Sequence, residues 1–215
     1  MFCYISGSVA ENKPDHEFKK RVKQLGSKLY RVGDVTVDAK LDAVVFPAKV
    51  NQLVGLIEYA LVTENGKIHE SFLSTKVSPS DIHGALLLLG AKPGSLLSTV
   101  ISWKNGDKWV RKPISRCIGQ YPLEAASERD NKVTDKSVDL KSVYWKWTGS
   151  RRRNNALTAD ESGSILSLQP DSDALILIEP MVETGRFGTH VWSKMVPKIG
   201  QMVQVFIGKS KNLKP

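Results

Sequence analysis

His69, Glu70 and Ser71 stand side by side, and His83 opens the next element. A histidine, a carboxylate and a hydroxyl are the ingredients of hydrolytic or metal-assisted chemistry. Their positions along the chain work against that use. Asn65-Gly66 is a favoured two-residue hairpin turn, because both positions accept positive φ. That turn would pair Glu64 with Lys67, Val62 with His69, Leu61 with Glu70 and Tyr59 with Phe72. Alternation then puts Glu70 on one face with Tyr59, Leu61, Ile68 and Phe72, and His69 on the other with Glu58, Ala60 and Val62. A carboxylate among apolar neighbours must be paired, hydrogen-bonded, protonated or bound to a cation. Glu70 is therefore the leading candidate residue, with a structural bond or an exposed edge position as its plain alternative.

His83 lies in the first turn of a well-marked helix. Ser78 fits the N-cap, Pro79 the first helical position, and Gly90 the stop, with Pro93 beyond it. Ile82, Ala85, Leu86 and Leu89 form one face, and Leu87 and Leu88 carry the apolar surface almost all round, as in a buried helix. The amides of such a helix start attract anions. The candidate site joins His83 to Glu70, His69 or Glu58. His69 and His83 could serve a divalent metal, although no third ligand stands out and the pair lacks i, i+4 spacing. The alternative is a His83 that caps or packs.

A second constellation joins Trp145 and Trp147, on one face of a strand, to Arg151, Arg152 and Arg153. Aromatics beside cations can hold a sugar, a single-stranded nucleic acid or another polyanion; a core Trp face with an exposed arginine turn explains the same residues. The net charge of +9 raises the case for an anionic partner. Nucleic acid has no support from an RNP or helix-turn-helix motif. GxSxG, GxxxxGK[ST], a dinucleotide glycine loop and HExxH are all absent. Cys3 and Cys117 form no clustered pattern, so an iron–sulfur cluster is not expected.

The elements that would position these residues are mostly strands. The first 28 residues read as a loosely attached basic arm, with a short helix over His16–Leu25. Residues 29–120 read as an α+β core, in which the helix packs across a hairpin sheet. Asn105-Gly106-Asp107 marks a further hairpin, and Trp103 and Trp109 would cluster across it. Residues 121–141 are a polar connection, and 142–215 a β-rich second half, within the same domain or separate. The expected fold class is α+β, mostly antiparallel sheet with one buried helix. No run approaches the ~18 apolar residues of a membrane span.

The run FPAKVNQLVGLIEYALV, followed by GKIHESFLSTKVSPSDIHGALLLLGAKPG, resembles the YdjY-domain family of bacterial proteins, most strongly over residues 35–95. The Glu58 of IEY, the GKIHES segment, the start of the helix at His83 and the LLLLG end carry the likeness. The resemblance implies no set activity. Some relatives carry ferredoxin-type cysteine motifs, which this chain lacks. Many look exported, which implies a periplasmic or envelope location if a leader has been removed; if Met1 is the native start, the expectation is cytoplasmic. The expected function is a non-catalytic binding or interaction module of the bacterial envelope, with a protein or anionic envelope partner. The alternatives are a metal-dependent or hydrolytic enzyme using Glu70, His69 and His83, and a polyanion binder.

Overall fold

The computed structural model describes residues 20–120, 138–139, 143–149, 151–180, 188–192 and 196–209. The expected arm falls largely outside these residues, as does most of the polar connection. Strands β1 (Val22–Gly26), β2 (Leu29–Val32), β3 (Val35–Asp38) and β4 (Ala43–Val50) form an antiparallel meander. Val22–Gly26 is strand where the apolar spacing of His16–Leu25 suggested helix; pairing with β2 overrides local propensity. Next come β5 (Leu56–Ile57), β6 (Tyr59–Thr63), β7 (Ser71–Thr75), α1 (Pro79–Leu88), β8 (Leu96–Asn105), β9 (Lys108–Pro113), β10 (Ile118–Gln120) and β11 (Val138–Asp139). The remainder comprises β12 (Tyr144–Trp147), β13 (Arg152–Arg153), β14 (Ala156–Leu157), α2 (Thr158–Ser162), β15 (Ser164–Ser167), β16 (Ile176–Glu179), β17 (Thr189–Val191) and β18 (Met202–Lys209).

The hairpin expected at Asn65-Gly66 does not form. Neither residue has positive φ, and β6 and β7 run parallel, with Tyr59 beside Ser71 and Leu61 beside Leu73. The chain turns at Glu64–Gly66 and returns through a 3-10 turn at Ile68–Glu70. The primed turn occurs instead at Asn154-Asn155, both with positive φ, between β13 and β14. The Gly106-Asp107 hairpin between β8 and β9 forms as read.

Parallel pairing changes the architecture. The order β4-β18-β8-β12-β16-β15-β6-β7 returns to β4, closing an eight-stranded barrel. The expected α+β open sheet, with a helix lying on a hairpin, is therefore corrected to a mostly β closed barrel. Closure removes edges from the ring, and a barrel of this size is filled by side chains. One contiguous apolar core, including Phe46, Phe72, Leu86, Ile101, Trp145, Trp147 and Val205, runs through both halves of the chain. The helix α1 packs against β2, β3, β4 and α2 rather than across the β6–β7 pair where the hairpin was expected. Its caps are as read: Ser78 Oγ accepts from the Asp81 amide, Pro79 starts the helix and Gly90 has φ +79°. Trp103 and Trp109 do not cluster, since Trp103 is buried and Trp109 is exposed.

The ring also repeats itself. The segment β4, β6, β7, β8 corresponds strand for strand to β12, β15, β16, β18. In each set a short parallel crossover (64–70 or 168–175) links the second strand to the third, and the first strand lies antiparallel beyond the third. Between β6 and β15, Leu61 faces Leu166, with Val62 facing Ser164 on one side and Tyr59 facing Ser167 on the other. A two-fold rotation that exchanges Leu61 and Leu166 carries the first flanking pair onto the second. Diametrically opposite, β8 and β18 pair antiparallel across Val100 and Phe206.

Gly163 sits where these halves meet, with φ +72°. A Cβ there would lie 2.6 Å from the Gly66 Cα, 2.9 Å from the Gly66 nitrogen and against Thr63 Oγ1. Gly163→Ala should lower unfolding free energy by about 1–3 kcal/mol from backbone strain alone, measured by denaturant titration. An unchanged midpoint would contradict this contact.

Candidate functional site

Glu70 ends the 3-10 turn, and its position differs from the expected apolar strand face. Its carboxylate lies 3.5 Å from Lys67 Nζ and 4.0 Å from His69 Nε2. The hairpin register placed His69 and Glu70 on opposite faces; the 3-10 turn brings their side chains to the same side. His69 is largely exposed. Lys67 Nζ also donates to the Tyr59 hydroxyl (3.1 Å), which donates to Asp171 Oδ2 (3.0 Å). Burial, foremost, raises the Tyr59 pKa, and the hydrogen bond with Tyr59 raises that of Lys67. This Tyr59–Lys67–Asp171–Glu70 network ties the two crossovers together. Sequence reasoning missed it because Asp171 belongs to the other half. Glu58 is exposed, and its backbone bonds to Glu70 and Leu168.

His83 is elsewhere. The strand β7 separates Glu70, which precedes it, from α1, which follows it. The imidazole is buried, with its centroid 5.3 Å from the Trp147 ring. Burial first, then the nearby Arg152 charge, lowers its pKa to about 4. His83, Trp147 and Arg152 thus share one neighbourhood, whereas His69, Glu70 and Glu58 lie in another. The anion-seeking start of α1 is served internally: the Ser80 amide donates to Asp160 Oδ1 (2.9 Å), and Ser80 Oγ bonds the same carboxylate. Asp81 pairs with Arg21, and burial raises its pKa. No group of three or more His, Cys, Asp or Glu residues that could hold a metal occurs among the described residues.

Trp145 and Trp147 face the core, at 2% and 0% exposure. Arg151, Arg152 and Arg153 are exposed on the β13–β14 hairpin, where Arg153 reaches Glu161 at 3.5 Å and Arg152 donates to the Asn155 carbonyl at 2.9 Å. The tryptophans and arginines therefore do not build one open surface. Burial pushes the Cys117 thiol up to about 12, which makes it a poor nucleophile.

An open aromatic–cation surface lies instead on the outer face of β8, β9 and β18. On β8 and β18 the even-numbered positions point outward; Trp109 stands opposite Lys104, and Gln204 opposite Ser102. Ser102, Lys104, Trp109, Met202 and Gln204 line a groove of about 340 Å³. Lys104 Nζ is 5.9 Å from the Trp109 ring centroid, and both Trp109 and Met202 are largely exposed. The pattern Asn105-Gly106-Asp107 signalled this hairpin, but only the register shows which tryptophan faces out.

The YdjY domain family model matches residues 35–208, which takes in the whole barrel. The chain belongs to the YdjY-domain family. The match extends well past the residue 35–95 stretch that carries the visible likeness, so the YdjY domain comprises both halves. No curated protein and no solved structure matches the chain.

The buried His83 of this YdjY domain sets a pH dependence. Its folded-state pKa lies below the ordinary 6.5, so the unfolded chain takes up a proton first as pH falls. Stability should therefore decline between about pH 6.5 and pH 4 and gain nothing further from this group below that. His190, also lowered by burial, acts in the same direction. His83→Gln should make the slope of unfolding free energy against pH shallower in that window; an unaltered slope would show that His83 is not buried neutral.

Proposed function

We propose that this chain is a non-catalytic binding module of the bacterial envelope. The single observation that supports it most is the division of labour around the barrel. The side chains with catalytic potential are engaged in holding the fold: Glu70 by Lys67, Tyr59 by Lys67 and Asp171, and His83 against Trp147. The outer face of β18, β8 and β9 instead presents Trp109, Met202, Lys104 and Gln204 to solvent around a groove. Exposed large apolar groups gathered beside cations are a common signature of recognition surfaces. The chain's positive charge suits an anionic envelope partner.

Cosedimentation of the purified protein with isolated envelope material tests the reading. The protein should pellet with the envelope fraction in a saturable manner, and Glu70→Gln and His83→Gln should pellet as wild type. Failure to pellet at any salt concentration, or a turnover of envelope substrate that Glu70→Gln abolishes, would overturn it.

A further inference from the structure

We propose that the free edge of β9 receives an extended acidic segment of another polypeptide as an added strand. This rests on the binding-module reading and names the kind of partner. β8 and β9 pair without a break from Asn105–Lys108 to Val100–Pro113. Gly106, with φ +60°, opens a two-residue turn, so the flanking pair Asn105–Lys108 is hydrogen-bonded. Bonding then alternates along the strand. Val110 and Lys112 bond to β8, while the amides and carbonyls of Trp109 and Arg111 point the other way. Among the described residues no strand lies on that side, and none of these four groups makes a backbone hydrogen bond. Pro113, which has no amide to donate, ends the edge.

Those four groups define the class of partner. Alternating donors and acceptors at strand spacing are matched by the backbone of another strand, and extended peptides add to exposed sheet edges in this way. The other edges among the described residues serve less well. β1 has a bulge between Gln24 and Gly26, which interrupts its row of groups. β5, β11, β13 and β14 have two residues each. β9 offers six residues in unbroken register.

Charge then selects among polypeptides. Residues 104–113 hold Lys104, Lys108, Arg111 and Lys112 against Asp107 alone. Lys104 and Lys108 are exposed, and among the described residues neither joins an ion pair. A second copy of β9 is a poor occupant. The antiparallel register that uses all four edge groups of both copies sets Trp109 opposite Arg111, and therefore Lys108 opposite Lys112 at each end. Like charges directly opposite destabilise a strand pair. A carboxylate opposite either lysine reverses the sign of that interaction. On the outer face Trp109, 64% exposed, offers its ring to an apolar residue paired with it. The matching segment thus alternates acidic and apolar side chains.

The test is a titration of the full chain into three labelled peptides, followed by fluorescence anisotropy. The probes are Glu-Val-Thr-Val-Glu, the same peptide N-methylated at both valines, and Lys-Val-Thr-Val-Lys. Their valines pair with Trp109 and Arg111, so N-methylation removes the amides that face β9 and keeps the charge. The glutamate peptide should bind saturably, and the other two weaker by about tenfold or more. Arg111→Pro removes an edge amide and leaves the ladder to β8 intact. It should lose about tenfold, whereas Arg111→Ala stays within about threefold, with circular dichroism and Tm confirming the fold. The N-methylated peptide decides the question even where the proline variant is unstable. Equal binding of the methylated and plain peptides, or wild-type binding by a folded Arg111→Pro, would overturn the proposal. So would a dimer that Arg111→Pro dissociates, which would put a second copy on this edge. If no peptide binds while the chain still pellets with envelope material, the partner class is wrong and the binding-module reading stands. If it neither binds nor pellets, both fall.

Discussion

Two glycines from opposite halves of the chain meet at the head of the barrel. Gly66 lies in the first crossover, and Gly163 joins α2 to β15. The Thr63 amide donates to the Gly163 carbonyl at 2.8 Å, and the Gly66 amide to the Thr63 carbonyl at 3.0 Å. No side chain fits between them. This contact lets β6 and β15 lie side by side while the chain leaves β6 and doubles back. A parallel neighbour normally needs a connection of about a dozen residues or more. Here residues 64–70 suffice, and so do 168–175 on the other side. Each crossover must hug the sheet closely, and β6, β7 and β15 are accordingly buried almost throughout.

That burial decides where the molecule can meet others. The two crossovers cover one side of the barrel; at the opposite end of the pseudo-two-fold, outward Val100 and Ser102 of β8 are buried, whereas Lys104, Met202 and Gln204 are exposed. Those exposed side chains, together with Trp109 of β9, remain available. The short ends of the barrel differ as well: α1 and α2 pack together in one place, and β5 and β17 pair in another. Both pairs join the segment after a crossover to the segment before one. The repeat therefore extends from the strands to the pieces that close the barrel, although helices serve in one case and strands in the other.

Local signals in the sequence were legible where local chemistry decides the outcome. Ser78, Pro79 and Gly90 delimit α1 as their side chains dictate. Asn105-Gly106-Asp107 makes its hairpin. Asn65-Gly66 carries an equally good turn signal, yet Gly66 is glycine because of Gly163, a residue distant in sequence. A sequence reading of turns has no access to that constraint. The error propagated: a hairpin register sent Glu70 to an apolar face and hid its partner Lys67, which the 3-10 turn places at 3.5 Å. The tryptophans repeat the lesson. Trp145 and Trp147 share a strand face as alternation requires, but alternation does not say which face is core. Barrel closure turns that pair inward and leaves Trp109 outside.

The network at Tyr59 shows where the pseudo-two-fold breaks down. Lys67 and Asp171 are each the fourth residue of their crossover, so the two-fold relates them. Both bond the Tyr59 hydroxyl, and the same rotation exchanges Tyr59 with Ser164. Two identical halves would place like charges at this position, and like charges around a buried hydroxyl repel. Opposite charges require two different halves. Because the halves belong to one chain they need not be identical, and here one carries the lysine and the other the aspartate. The halves also differ on the outer face: β8 is followed by β9, which carries Trp109, and among the described residues its counterpart β18 has no such neighbour. Symmetry builds the barrel, and its local failures mark the places where the two halves have taken on separate tasks.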